Sequence, residues 1–107
     1  MRLLLLWLAA PLAFGATELD EKTGLVVAPG FEQVRAQCTA CHSARLVTQN
    51  RADRDGWLDM IRWMQASQGL WPLGGDEALI LDYLADNYGP VRVGRRPPLP
   101  HELLPPP

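Results

Sequence analysis

A chain of 107 residues holds one small domain at most, and a domain of that size buries a thin core unless a staple or a bound group adds to it. Close to half of the residues are hydrophobic and the net charge is −2, with Lys22 the only lysine. That balance offers no basic face for a nucleic-acid backbone, so nucleic-acid binding is excluded. The two cysteines lie three positions apart, which makes them a site rather than a disulfide framework.

Residues 1–15 read as a signal peptide. Arg2 is a short positive start, Leu3 to Leu12 is almost unbroken apolar sequence, and Ala13-Phe14-Gly15 puts small residues at the −3 and −1 positions of a cleavage site. The apolar run is too short to span a bilayer as a helix. No cysteine follows it to carry a lipid anchor. The expectation is an exported, periplasmic chain cleaved near Gly15, with no membrane span in the mature form. Residues 16–29 are polar, aperiodic and read as a loose leader.

Pro29-Gly30 stops anything upstream, and Phe31, Val34 and Cys38 then share one helical face. This first helix is expected to run into the Cys38 to His42 segment. A second helix is capped by Asp53 or Asp55 and shows Trp57, Met60, Ile61 and Met64 at i, i+3, i+4 and i+7. Ser67-Gln68-Gly69 ends it, with Gly69 suited to a left-handed position. After a loop from Leu70 to Gly75, a third helix starts at Asp76, buries Ile80, Leu81, Leu84 and Tyr88, and stops at Gly89-Pro90. Residues 90–107 hold seven of the ten prolines and cannot form a helix or a central strand. No stretch alternates as a strand. The fold class is therefore all-α: three helices or slightly more in residues 30–89, wrapped around something larger than their own side chains.

Cys38-Thr39-Ala40-Cys41-His42 is a Cys-x-x-Cys-His run, the pattern that attaches one haem c through two thioethers and presents His42 to the iron. Two intervening residues separate the sulfurs so that each meets one vinyl group, and the adjacent imidazole points at the metal. A thioredoxin-like pair would open a helix after a strand, whereas a helical pattern precedes this motif. A zinc site needs a second pair of ligands, and the only other histidine is His101 in the proline tail. Export supports the haem reading, because covalent haem is attached outside the cytoplasm.

For the sixth iron position, Met60 and Met64 both lie on the apolar face of the second helix. Met64 is preferred because it sits in the last turn beside the following loop; Met60, His101 and an open position are the alternatives. Either methionine can also be read as core filling. Trp57 reads as core. Trp71 can wall the haem or bond a propionate, and Arg45, Arg51 or Arg54 can pair with one, though a surface charge is the simpler account of each arginine. Asp76, Glu77, Asp82 and Asp86 on the third helix have no cation on that helix to offset them, so one face is expected to be negative.

With these residues in place, the chain resembles class I cytochromes c from Gly30 to Tyr88. Gly30 falls eight positions before the first cysteine, where that family keeps a glycine at a helix crossing. Tyr83-Leu84 matches its aromatic–leucine pair at the same crossing, while the aromatic four positions before the first cysteine is Val34 here. Val47-Thr48-Gln49-Asn50-Arg51, Trp57, Ile61-Arg62-Trp63-Met64-Gln65, Gly69-Leu70 and Asn87-Tyr88-Gly89-Pro90 are further similar to the small cytochrome c subunit of bacterial periplasmic sulfite dehydrogenases. That resemblance implies His42 and Met64 as axial ligands. It also implies single-electron transfer without catalysis, a molybdopterin sulfite-oxidising subunit as donor, and a downstream cytochrome or oxidase as acceptor. A free carrier serving a terminal oxidase is the alternative within the class, and a ligand-binding haem protein with an open distal site is the alternative outside it.

Overall fold

The computed structural model describes residues 15–91 and Pro100; the signal-peptide expectation over 1–14 and most of the proline tail, His101 included, lie outside the described residues. The described part is all-α: α1 Phe31–Cys38, α2 Arg45–Thr48, α3 Arg54–Ser67 and α4 Glu77–Asn87, with one turn of 3₁₀ helix at Gly74–Asp76. None of these helices is long and apolar enough to cross a membrane.

Each helix forms where local chemistry and a buried stripe agree. Asp53 caps α3, its carboxylate accepting the Gly56 N–H at 2.8 Å, and Trp57 and Ile61 on the inner stripe are buried. At the other end Gly69 takes φ 73°, turning the chain so that the Met64 carbonyl accepts both the Gln68 N–H (2.9 Å) and the Leu70 N–H (3.2 Å). Asp76 occupies the N-cap position of α4 but makes no side-chain cap bond there. Its carboxylate accepts the Gln37 amide from α1 instead, at 3.2 Å.

The core centres on α4. Ile80, Leu81, Tyr83 and Leu84 are buried, and α4 packs extensively against both α1 and α3. α1 approaches closely because Gly30 has no side chain. A Cβ there would lie 2.8 Å from the Tyr83 Cβ and 3.0 Å from the Leu79 carbonyl oxygen, and its φ of 94° is itself unfavourable for other residues. The Tyr88 carbonyl at the end of α4 accepts the Ala52 N–H and the Trp57 indole N–H, each at 3.1 Å, so this helix terminus is satisfied by groups distant in sequence.

Three details differ from the sequence expectation. α1 ends at Cys38, so Cys41 and His42 lie beyond it; the Thr39 hydroxyl donates back to the Arg35 carbonyl and the chain then leaves helical geometry. α2 went unforeseen because four residues are too few to show a period. Residues 16–29 are also not loose. Asp20 accepts from the Thr23 N–H (2.9 Å) and hydroxyl (2.7 Å), Leu19 and Val26 pair as an antiparallel bridge, and Leu25 is fully buried in the core. Val26 is held from both sides. Its carbonyl accepts the Tyr83 hydroxyl at 2.6 Å, and its N–H donates to the Tyr88 hydroxyl at 3.1 Å.

Candidate functional site

Cys38 stands at the last residue of α1, and Cys41 and His42 on the turn that follows. All three border one cavity of about 230 Å³ with α3, from which Met60 and Met64 also line it. Trp57, Ile61 and Leu84 close its inner end and belong to the core. No Asp, Glu, Lys or Arg lines this cavity. Its rim carries two large apolar side chains that face solvent, Leu46 (52% exposed) and Trp63 (60%).

Such a site suits a flat, apolar, metal-bearing ring. Two thiols and an imidazole come from the end of α1 and the chain just after it, two thioethers come from α3, and the rest of the lining is uncharged and mostly hydrophobic. A ring bound there would cover apolar surface that soluble proteins otherwise keep small. The donor set and the lining therefore fit a haem. His42 Nδ1 lies 3.1 Å from the Ser43 carbonyl, a contact that suits an Nδ1–H donor and leaves the Nε2 lone pair available.

The cysteines are both free thiols, Cys38 partly buried and Cys41 exposed. Burial pushes the Cys38 thiol up to about 11. A disulfide-exchange cysteine needs the opposite, a lowered pKa of the kind a helix N-terminus provides, and Cys38 sits at a C-terminus. Among the described residues, no three His, Cys, Asp or Glu side chains come together to hold a bare metal ion. That observation does not bear on iron carried in a macrocycle.

Residues expected beside the site divide. Trp57 is core, with its indole N–H on the Tyr88 carbonyl. Trp71 does not line the cavity; its indole N–H donates to the Gln37 side-chain oxygen, and Gln37 does line it. Arg51 reaches the Asn87 carbonyl (3.2 Å) and stacks over Tyr88, and Arg54 pairs with Asp82 (3.2 Å). Neither borders the cavity, and nor does Arg45.

The negative face expected on α4 is not present as such. Arg62 grips Glu77 with two bonds of 2.9 and 2.6 Å, and Arg54 takes Asp82, so cations from α3 offset two of the four acids. The Glu77 carboxyl is accordingly held below the usual carboxylate range, chiefly by the hydrogen bonds from Arg62. A wider depression of about 790 Å³ lies over these pairs, lined by Arg54, Arg62 and Glu77 and containing no Cys, His or Met. It offers nothing to a haem.

Gln37, Leu46 and Trp63 are among the lining residues that sequence reasoning missed as parts of the site. Gln37 had a signal available, since it directly precedes Cys38 and falls one turn after Val34 on α1. Leu46 lies on the unforeseen α2, and Trp63 sits off the apolar stripe of α3, where nothing local marks it. No protein-family model matches the chain, and no curated protein or solved structure matches it either.

Proposed function

We propose that this chain is a monohaem c-type cytochrome that passes single electrons and performs no substrate chemistry of its own. The observation that carries this reading is the shared cavity: Cys38, Cys41 and His42 border it together with Met60 and Met64, and no charged side chain intervenes. In this reading Cys38 and Cys41 would hold the haem by thioethers, and His42, through Nε2, and Met64 would bind its iron. Bound haem supplies the redox chemistry, iron cycling between ferrous and ferric. The chain's own residues do the rest. The Ser43 carbonyl orients the imidazole, Ile61 and Leu84 keep water from the inner face, and a thioether ligand favours the ferrous state.

The partner follows from the resemblance of the α2–α3 and α4 segments to sulfite dehydrogenase cytochromes. The donor is a periplasmic molybdopterin enzyme that oxidises sulfite, and the acceptor is a further cytochrome or an oxidase. Two measurements test the proposal. Haem in the exported protein should resist acid–acetone extraction, and Cys38→Ala or Cys41→Ala should sharply reduce the covalently held fraction. Met64→Ala should abolish the weak red charge-transfer band of ferric methionine-ligated haem, whereas Met60→Ala should keep it. Extractable haem would sink the cytochrome reading, and the reverse pattern would move the ligand to Met60. Sulfite-dependent haem reduction by the candidate partner, faster than with sulfite alone, tests the donor.

A further inference from the structure

The two sides of the cavity are joined unequally. On the inner side α4 packs against both α1 and α3, so the core sets their separation. On the outer side, polar contacts span the gap. Gln37 Oε1 accepts the Trp71 indole N–H, and Gln37 Nε2 donates to Asp76 Oδ2 at 3.2 Å. The uncharged amide accepts with its oxygen and donates with its nitrogen from one planar group. Its two partners, Trp71 and Asp76, belong to the connection between α3 and α4, whose start is tied to α3 by the Leu70 N–H on the Met64 carbonyl and by Gln65 Nε2 on the Trp71 carbonyl at 3.4 Å. Gln37 is next to Cys38 in the chain and lines the cavity itself.

We infer that Gln37 is a positioning residue: it holds the loop carrying Trp71 against the end of α1 and thereby fixes the Met64 end of α3 opposite Cys38 and His42. This inference rests on the haem reading above. The chain of contacts is short, running from Cys38 to Gln37, across to Trp71, then by one peptide to Leu70 and by one hydrogen bond to Met64. Asp76 helps by leaving its N-cap role unfilled and turning its carboxylate to Gln37. Loss of the tie leaves the inner packing intact and lets the outer edge open. A methionine held at that edge then yields more readily to a competing ligand.

The test uses the ferric holoprotein with imidazole as the competing ligand, in Gln37→Leu, Trp71→Phe, the double variant and Asp76→Asn. Trp71→Phe keeps an aromatic ring and removes the indole N–H together with the pyrrole half of the side chain. A single hydrogen bond is worth about 1 kcal/mol, which converts to roughly fivefold. Gln37→Leu and Trp71→Phe should each speed imidazole binding by about that factor. The double variant should be no faster than Gln37→Leu, because both remove the same contact. Asp76→Asn retains an acceptor and should stay near wild type. Hydrogen exchange of residues 69–73, followed in the same samples, should rise in the two single variants. Haem-loaded Gln37→Leu and Trp71→Phe that bind imidazole at the wild-type rate would overturn the inference. A purified protein without covalent haem would instead overturn the functional reading, and exchange alone would then decide whether Gln37 holds the loop: faster exchange supports the tie, unchanged exchange refutes it.

Discussion

The two sides of the cavity are built by different physics. The Cys38–His42 side is consecutive chain just beyond the end of α1, shaped by local bonds from Thr39 to Arg35 and between His42 and Ser43, and much of it faces solvent. The α3 side is a capped helix of 14 residues whose Trp57 and Ile61 are locked into the core. One side owes its reactive groups to adjacency in the chain; the other owes them to packing. Chemistry should therefore fail when the first is altered, and folding when the second is.

Three substitutions test this division, in order of expected effect, with Cys41→Ala as the control. Trp57→Ala removes a buried aromatic and the indole bond to Tyr88, and should cost about 3–5 kcal/mol in denaturant unfolding. Cys41→Ala, at an exposed position, should change the unfolding midpoint of haem-free protein very little; a comparable loss there would erase the contrast. Gly30→Ala places a methyl against Tyr83 in a left-handed backbone conformation, and should destabilise by about 1–3 kcal/mol through separation of α1 from α4. Asp53→Ala should cost about 1 kcal/mol by uncapping α3.

The smallest effect concerns Glu77, whose carboxyl is lowered by the Arg62 hydrogen bonds. A lowered folded-state value stabilises above the unfolded pKa of about 4.3, and that contribution is lost as pH falls through the folded value. Glu77→Gln should flatten the acid limb of the stability–pH curve while leaving neutral-pH haem spectra unchanged. A flattened limb with altered spectra would place Glu77 in contact with the haem side, against the geometry.

Legibility from the sequence followed the same division. The pentapeptide could be read because its spacing is itself the geometry, and the α3 stripe because its period is 3.6 residues. Neither rule separates Met60 from Met64, which share one face and both line the cavity. Leu25 was hidden because the segment that carries it is held at Val26 by Tyr83 and Tyr88, far along the chain. The acids of α4 looked uncompensated because Arg62 and Arg54 arrive from another helix, 15 and 28 residues away from their partners. Cap, period and motif are local quantities; charge compensation and the tie through Gln37 are not.

The grip of the two tyrosines on Val26 has a kinetic consequence. These bonds join residues 57 and 62 positions apart, and Gly30 meets Tyr83 across a similar interval. Closing loops of this length delays folding, because the entropy is lost before the contacts form. A chain delivered N-terminus first must therefore present Cys38, Cys41 and His42 in the open until α4 has followed. The topology itself gives the Cys38–His42 segment an interval of fuller exposure before α4 completes the core beside it.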